Sequence, residues 1–394
     1  MPMYEEFFGK LKEVSEIVLK NSPREILLIH HNDADGLSSA AIMTSALQNE
    51  GFEIRRICLE KLFPEVVERL HSKEKEKIFV YVDIGSAHVK RIAECNQKRN
   101  LVVILDHHDT EKCVDETIFN LNPELFGIKG ETEASASIVC YLFSKILNEE
   151  NIRLAYIGLI GAQELIISGT ESKSSSNLVS LTLNDAEQTG QIKGGKIVKF
   201  NISLKEMFKK LQILGGVGYY RNGPEMGIKA CLMGFDTTNE FTNRLEMERK
   251  MRNKRVIAML LKGGLKKTTH IQWFHVGDMF KGMGTKVIGT FCSYLSFQRF
   301  IDSDKYIIGM MNMEKTIPGF GELEKDYVKI SGRVPPELKE KIKMKRAEPL
   351  SYLLPEACKQ VGGFGDGHEF AASGIIPKGK EEEFILTFDE LSRT

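Results

Sequence analysis

Hydrophobic positions follow two periods, and these alternate through about the first 165 residues. Residues 3–20 place Phe7, Phe8, Leu11, Val14, Ile17, Val18 and Leu19 at helical spacing, with Lys and Glu between them, which predicts an amphipathic helix. Asn21, Ser22 and Pro23 break it, and residues 26–31 follow as an apolar run that reads as a buried strand. Beyond Asp33-Ala34-Asp35-Gly36 the small residues of LSSAAIMTSAL predict a helix lying close against a sheet, and Gly36 frees the backbone for the turn. FEIRRICLE and FPEVVERLHSK repeat strand and helix, residues 78–83 make another strand, and residues 87–98 make another helix. The strand LVVIL then stops abruptly at DHHDT. ETIFNLNP reads as strand and turn. TEASASIVCYLFSKIL reads as a helix opening on Thr and Ser, good caps at a helix start that suits an anion. NIRLAYIGLIGAQELII continues as apolar helix. Strands alternating with helices predict a mostly parallel sheet covered on both faces.

Downstream the pattern changes. SGTESKSSSNL loses all periodicity and reads as a flexible surface loop or lid. Residues 181–234 are the least periodic, although GGVGYYRNGPEMG is rich in glycine and is expected to loop near another part of the chain. NEFTNRLEMERKMRNKRVIAMLLKGG has the charge and spacing of a solvated linker helix. From about Thr268, HIQWFHV, TKVIGTFCSYL, KYIIGMMNME and DYVKISGRV read as short strands; LSYLLPEACKQV reads as a helix, GGFGDGHEFAASG as a loop and EEFILTF as a last strand. The predicted organisation is α/β throughout: a mostly parallel domain over residues 1–185, an insert and helical linker over 186–265, and a smaller α/β domain over 266–394.

Composition narrows the class without naming it. With 42% hydrophobic residues in 394, full-sized cores are available. The 54 Lys and Arg balance 54 Asp and Glu, so any basic surface must be local. Seven scattered cysteines with no CxxC pair fit reduced thiols, hence an expected cytoplasmic protein. No apolar run approaches the roughly eighteen residues of a membrane span, so no membrane partner is expected.

Three strands end in carboxylates or imidazoles, at residues 30–35, 83 and 106–109. Asp33 and Asp35, two residues apart at a tight turn, suit hard divalent ions. Asp83 would add a carboxylate able to bridge two ions, and His107 an imidazole nitrogen, with His31 as a further ligand. Mixed carboxylate and imidazole ligands suit Mn²⁺ better than a pure oxygen set, which would favour Mg²⁺ or Ca²⁺. Two such ions favour metal-assisted hydrolysis of a phosphate ester. His108 is assigned to phosphate contact or acid catalysis, and Asp106 to orienting the imidazoles. Arg333 is able to fork a phosphate, and a loop of Gly363, Gly365, Gly367 and His368 would complete a substrate pocket facing the metals.

With D-x-D, a strand-ending Asp, DHH and a C-terminal GGxGxGHxxAxG in order, the chain resembles the DHH phosphoesterase superfamily over about its first 165 and last 130 residues. The resemblance implies a metal-bearing DHH domain and a DHHA1 domain that grips a nucleic-acid end. It places Mn²⁺ or Mg²⁺ on Asp33, Asp35, Asp83 and His107, with His31, and puts His108 and Asp106 on the rest of the signature. Within the superfamily the chain is most similar to archaeal RecJ-like exonucleases, including the small Hef-associated nuclease, which implies DNA repair, a helicase partner and 3′-to-5′ polarity. It departs at the fourth motif, where GLIGAQELI offers Gln163 and Glu164 instead of a metal-binding Asp; either Glu164 replaces it as a metal ligand with a longer arm, or one metal site is weakened. Three functions follow as expectations: a Mn²⁺-dependent exonuclease on single-stranded DNA or RNA, a phosphodiesterase of short oligonucleotides or cyclic dinucleotides, and a non-catalytic scaffold for nucleic acid or a helicase. The oligomeric state is left open.

Overall fold

Five of the apolar runs pair into one parallel sheet. Strands β1 (Glu25–His31), β2 (Glu53–Leu59), β3 (Ile78–Val82), β4 (Leu101–Leu105) and β5 (Ile118–Asn120) lie in the order β2-β1-β3-β4-β5. Strand β3 is buried along its whole length, as a continuous apolar run demands inside a sheet covered on both faces. This computed structural model describes residues 2–21, 24–130, 132–168, 178–236 and 238–393. The serine-rich lid expected after residue 168 falls on 169–177, outside the described residues.

Helices α1 (Pro2–Lys20), α2 (Ala34–Asn49), α3 (Pro64–Lys73), α4 (Val89–Asn96), α5 (Ala136–Leu147), α6 (Ala155–Gly161) and α7 (Gln163–Ser168) alternate with or flank the strands. Phe7, Leu11, Val14 and Val18 form the buried stripe of α1. Ser38, Ser39, Ala40 and Ala41 of α2 are fully buried, so their small volume is what brings this helix close to its neighbours.

Register does the positioning. His30 pairs with Val82, and Val82 pairs with Leu105, so the next residue on each strand, His31, Asp83 and Asp106, comes level at the carboxyl edge of the sheet. The Asp83 N–H extends the ladder by donating to the Leu105 carbonyl at 3.0 Å. In open parallel sheets this edge is where ligands bind.

The chain continues through α8 (Leu178–Gln188), α9 (Leu204–Gln212), α10 (Gly223–Met233) and α11 (Asn239–Met259). Two compact units result. One comprises Met1–Gly215, Asn222–Thr242 and Pro318–Phe320; the other comprises Gly216–Arg221, Asn243–Ile317 and Gly321–Thr394. Residues 186–265, expected as insert and linker, are divided between them. Helices α8 to α10 join the first unit for identifiable reasons. The Tyr141 hydroxyl and Lys145 ammonium both donate to Asp185 at 2.7 Å, and Arg56 forks Glu225 at 3.0 and 2.6 Å. The glycine-rich stretch does approach another part of the chain: the Gly215 carbonyl accepts from the buried Asn32 amide at 3.1 Å.

The second unit carries a mixed sheet. Its strands β6 (Ile271–His275), β7 (Tyr306–Asn312), β8 (Tyr327–Arg333), β9 (Phe364–His368) and β10 (Ala371–Pro377) lie in the order β9-β10-β8-β7-β6, with the short strand Lys266–Lys267 on the far edge. Only β6 and β7 pair in parallel. Helices α12 (Lys286–Leu295), α13 (Pro336–Lys343), α14 (Leu350–Gln360) and α15 (Glu381–Leu391) complete it. Two strand expectations are corrected here. TKVIGTFCSYL is helix α12, because its buried positions Val287, Ile288, Phe291, Cys292 and Leu295 form a helical stripe. EEFILTF lies in helix α15, which buries Phe384, Ile385 and Phe388 and opens on Glu381, Glu382 and Glu383, charges that favour a helix start. The expected glycine loop is also corrected, being the hairpin β9–β10 with His368 opposite Ala371 at its turn.

No helix among the described residues is long and apolar enough to cross a membrane.

Candidate metal centre

At the carboxyl edge, backbone geometry aims every strand end at one place. Asp33 caps α2, one carboxylate oxygen accepting the Gly36 N–H at 2.9 Å. The other lies 3.1 Å from His31 Nδ1, which is also 3.4 Å from Asp83 Oδ2. Asp35, one turn into α2, reaches the start of α5, where the Ala136 and Ser137 N–H groups donate to its two oxygens at 3.0 and 2.9 Å. The helix start expected to hold an anion therefore holds Asp35. That grip depends on Gly161. A Cβ there would fall 2.4 Å from Asp35 Oδ1 and 2.3 Å from Ser137 Oγ.

His107 donates from Nδ1 to the Gly130 carbonyl at 3.0 Å, which turns Nε2 toward the carboxylates. Nε2 is 3.6 Å from both Asp35 Oδ2 and Asp83 Oδ1. His108 is fixed differently: its Nδ1 hydrogen-bonds Asp106 at 2.7 Å while the side chain stays about half exposed. Asp106 is buried and also accepts the His107 and Ser86 N–H groups at 2.8 and 3.0 Å. Burial alone would raise Asp106, but the charge and hydrogen bond of His108, with His107 and Ser86 behind them, hold it well below the usual carboxylate range. Burial opposes charge on His108 as well, yet Asp106 outweighs it and raises the imidazole to about 9. His30 faces the other way, fully buried with Nδ1 against the His31 carbonyl, and burial lowers it to about 4.

Asp83 joins the two halves. One candidate ligand group is His31, Asp33 and Asp83; the other is Asp83, His107 and His108, with donor atoms inside 4.8 Å in each. Because Asp106 occupies His108 Nδ1, Asp35 is the better third partner for the second group. The Asp83 carboxylate is 2% exposed, its Oδ2 has no hydrogen-bond partner among the described residues, and its backbone is left-handed at φ 59°. Burial first, and then the carboxylates of Asp33 and Asp35, push Asp83 well above the ordinary carboxylate range. A buried orphan oxygen among carboxylates and imidazole nitrogens is the donor set a divalent cation satisfies.

The remaining sequence-assigned residues lie elsewhere. Glu164 is exposed on α7, accepts from Gln212 at 3.4 Å and belongs to neither ligand group. Arg333 ends β8 in the second unit, where Nε donates to Ser293 Oγ at 2.8 Å and Nη1 to the Gly332 carbonyl at 2.7 Å. No carboxylate among the described residues pairs with it, and burial lowers its pKa. Gly363, Gly365 and Gly367 serve hairpin packing: a Cβ at 363 would meet the Ile375 carbonyl at 2.2 Å, and one at 367 would meet Ala372 Cα at 2.3 Å. His368 is exposed at the hairpin turn. Sequence reasoning passed over Gly161, Gly130 and Ser86. Only the capped start of α5 carried a signal, since backbone donors and close approaches leave no mark in residue type.

Residues 25–162 match the family model described as DHH family, N-terminal domain. An uncharacterised protein of Methanocaldococcus jannaschii is 24% identical, covering 97% of this chain and 98% of its own length. Among solved structures, RecJ of Thermus thermophilus in complex with Mn²⁺ superposes with a TM-score of 0.60 at 15% identity over 97% of this chain, which spans about half (54%) of that protein. The DHH domain of a protein assigned to a family of ribosomal proteins reaches 0.63 at 14% identity, covering 99% of this chain and 92% of that one. An exonuclease RecJ bound to manganese reaches 0.59 at 16% identity, covering 97% and 94%. These likenesses establish a shared fold.

Proposed function

We propose, for a chain whose residues 25–162 match the DHH family model, a metal-dependent phosphodiesterase that removes nucleotides from an end of single-stranded DNA or RNA. The observation carrying this reading is the buried Asp83 carboxylate shared by two ligand groups. His31, Asp33 and Asp83 would hold one divalent ion, and Asp35, Asp83 and His107 a second. The mixed oxygen and nitrogen set favours Mn²⁺, with Mg²⁺ as the alternative. When bound, such a pair lowers the pKa of a water and neutralises charge building on the leaving oxygen.

The chain's own groups do the positioning. The start of α5 fixes Asp35, the Gly130 carbonyl holds the His107 ring through Nδ1, and Asp106 holds His108 through Nδ1, so that its Nε2 would be the edge offered to a phosphate. Arg333, a partly buried guanidinium without a carboxylate, suits a terminal phosphate. The scaffold alternative drew on the missing fourth-motif Asp. Both ligand groups close without Glu164, which favours the enzyme.

The test is cleavage of 5′- and 3′-labelled single strands, DNA and RNA, alongside short oligonucleotides and cyclic dinucleotides, with Mn²⁺, Mg²⁺ or EDTA. Mononucleotides released from one end in Mn²⁺ and none in EDTA are expected, and the labelled end gives the polarity. Binding without cleavage under every metal would replace the enzyme by the scaffold. Cleavage confined to the short or cyclic substrates would replace exonuclease by oligonucleotide hydrolysis.

A further inference from the structure

The end of helix α12 carries chemistry that the metal centre does not use. Tyr294, in the last turn of the helix, is 48% exposed, and Phe297, in the turn that follows it, is 76% exposed. Ser293, the residue before Tyr294 and one turn before Phe297, accepts the Arg333 Nε–H at 2.8 Å. Gly289, one turn earlier, leaves room for the guanidinium, since a Cβ there would come 3.0 Å from Arg333 Nη2. Among the described residues Nη2 makes no hydrogen bond, and Arg299 just beyond Phe297 is exposed with no carboxylate partner. Two exposed aromatic rings, an exposed arginine without a carboxylate partner among the described residues, and the open Nη2 edge of a second arginine thus share one helix end.

We propose that Phe297 and Tyr294 are a stacking platform for the bases that follow the nucleotide held at Arg333, with Arg299 on their phosphates. The proposal rests on the function proposed above and specifies how the substrate strand is bound. Exposed rings beside arginines that no carboxylate neutralises among the described residues match a single strand, whose bases show their faces and whose backbone is anionic; a duplex hides those faces. Rings alone would suit an apolar protein partner, but the arginines give the surface a charge that such a partner does not answer.

Fluorescence anisotropy of labelled oligothymidylates, a dinucleotide and a strand of roughly twelve nucleotides, on the full chain in EDTA tests this. Wild type is expected to bind the longer strand more tightly. Phe297→Ala and Tyr294→Ala should each weaken the longer strand about tenfold and shrink the gain with length. Phe297→Trp should restore it, and unfolding temperatures should match wild type. If wild type shows the length gain and both alanine variants keep it, the platform is wrong while the nuclease reading stands. If wild type binds neither strand, both fall together. Loss of a dimer in Phe297→Ala by sedimentation, with strand binding unchanged, would assign the patch to a second copy of the chain and overturn the proposal.

Discussion

Three unfavourable circumstances meet at Asp83: burial, a left-handed backbone and neighbouring carboxylates. A left-handed non-glycine residue costs about 1–3 kcal/mol, and such strain collects at functional sites. Asn tolerates that conformation better and carries no charge. Asp83→Asn is therefore expected to reduce Mn²⁺-supported cleavage at least a hundredfold while the metal-free protein becomes as stable or more stable by about 1 kcal/mol. Paired activity and thermal-unfolding measurements check this, and a variant that is active or markedly destabilised speaks against a site built for cations. Gly161→Ala makes a finer test. Its methyl would displace Asp35 from the start of α5, so the Mn²⁺ concentration for half-maximal activity should rise about 10–100-fold with a smaller fall in maximal rate. The ligands themselves were readable in the sequence because their chemistry is in their side chains. Gly161 was not, because its role is to be absent from a space that only the fold defines.

Elements show the same division. Parallel strands announced themselves as unbroken apolar runs, and register then aligned His31, Asp83 and Asp106. Helices α12 and α15 read as strands in the sequence because aromatic and β-branched residues fill them, and only their buried stripes reveal the helical period. Between α3 and α4 lies a polar network that no motif marked: His71 Nδ1 meets Asn96 Oδ1 at 3.1 Å, and Nε2 meets the Tyr81 hydroxyl at 2.9 Å. Burial lowers His71 from 6.5 to about 4, so the unfolded chain takes up a proton that the folded chain refuses. Stability from this group is full above about pH 6.5 and falls as pH drops toward 4, by about 3 kcal/mol at most. Urea midpoints measured across that window should fall more steeply for wild type than for His71→Gln. Equal slopes would remove His71 from the account.

For the whole molecule, the metal ligands lie in one unit and Arg333 in the other. Arg333→Ala is accordingly expected to raise KM for a single strand about tenfold or more and leave Mn²⁺ affinity within about twofold. A matching loss of metal affinity would contradict that separation. The two α/β regions were legible from periodicity, whereas the assignment of α8 to α10 to the first unit depended on contacts such as Arg56 with Glu225 that no local pattern encodes. The central claim is that one buried carboxylate serves two cations. Mn²⁺ titration of the metal-free full chain, followed by electron paramagnetic resonance, tests it most directly. Two ions per chain with a spin-coupled signal, lost in Asp83→Asn, are predicted; a single isolated ion that persists in that variant would contradict it.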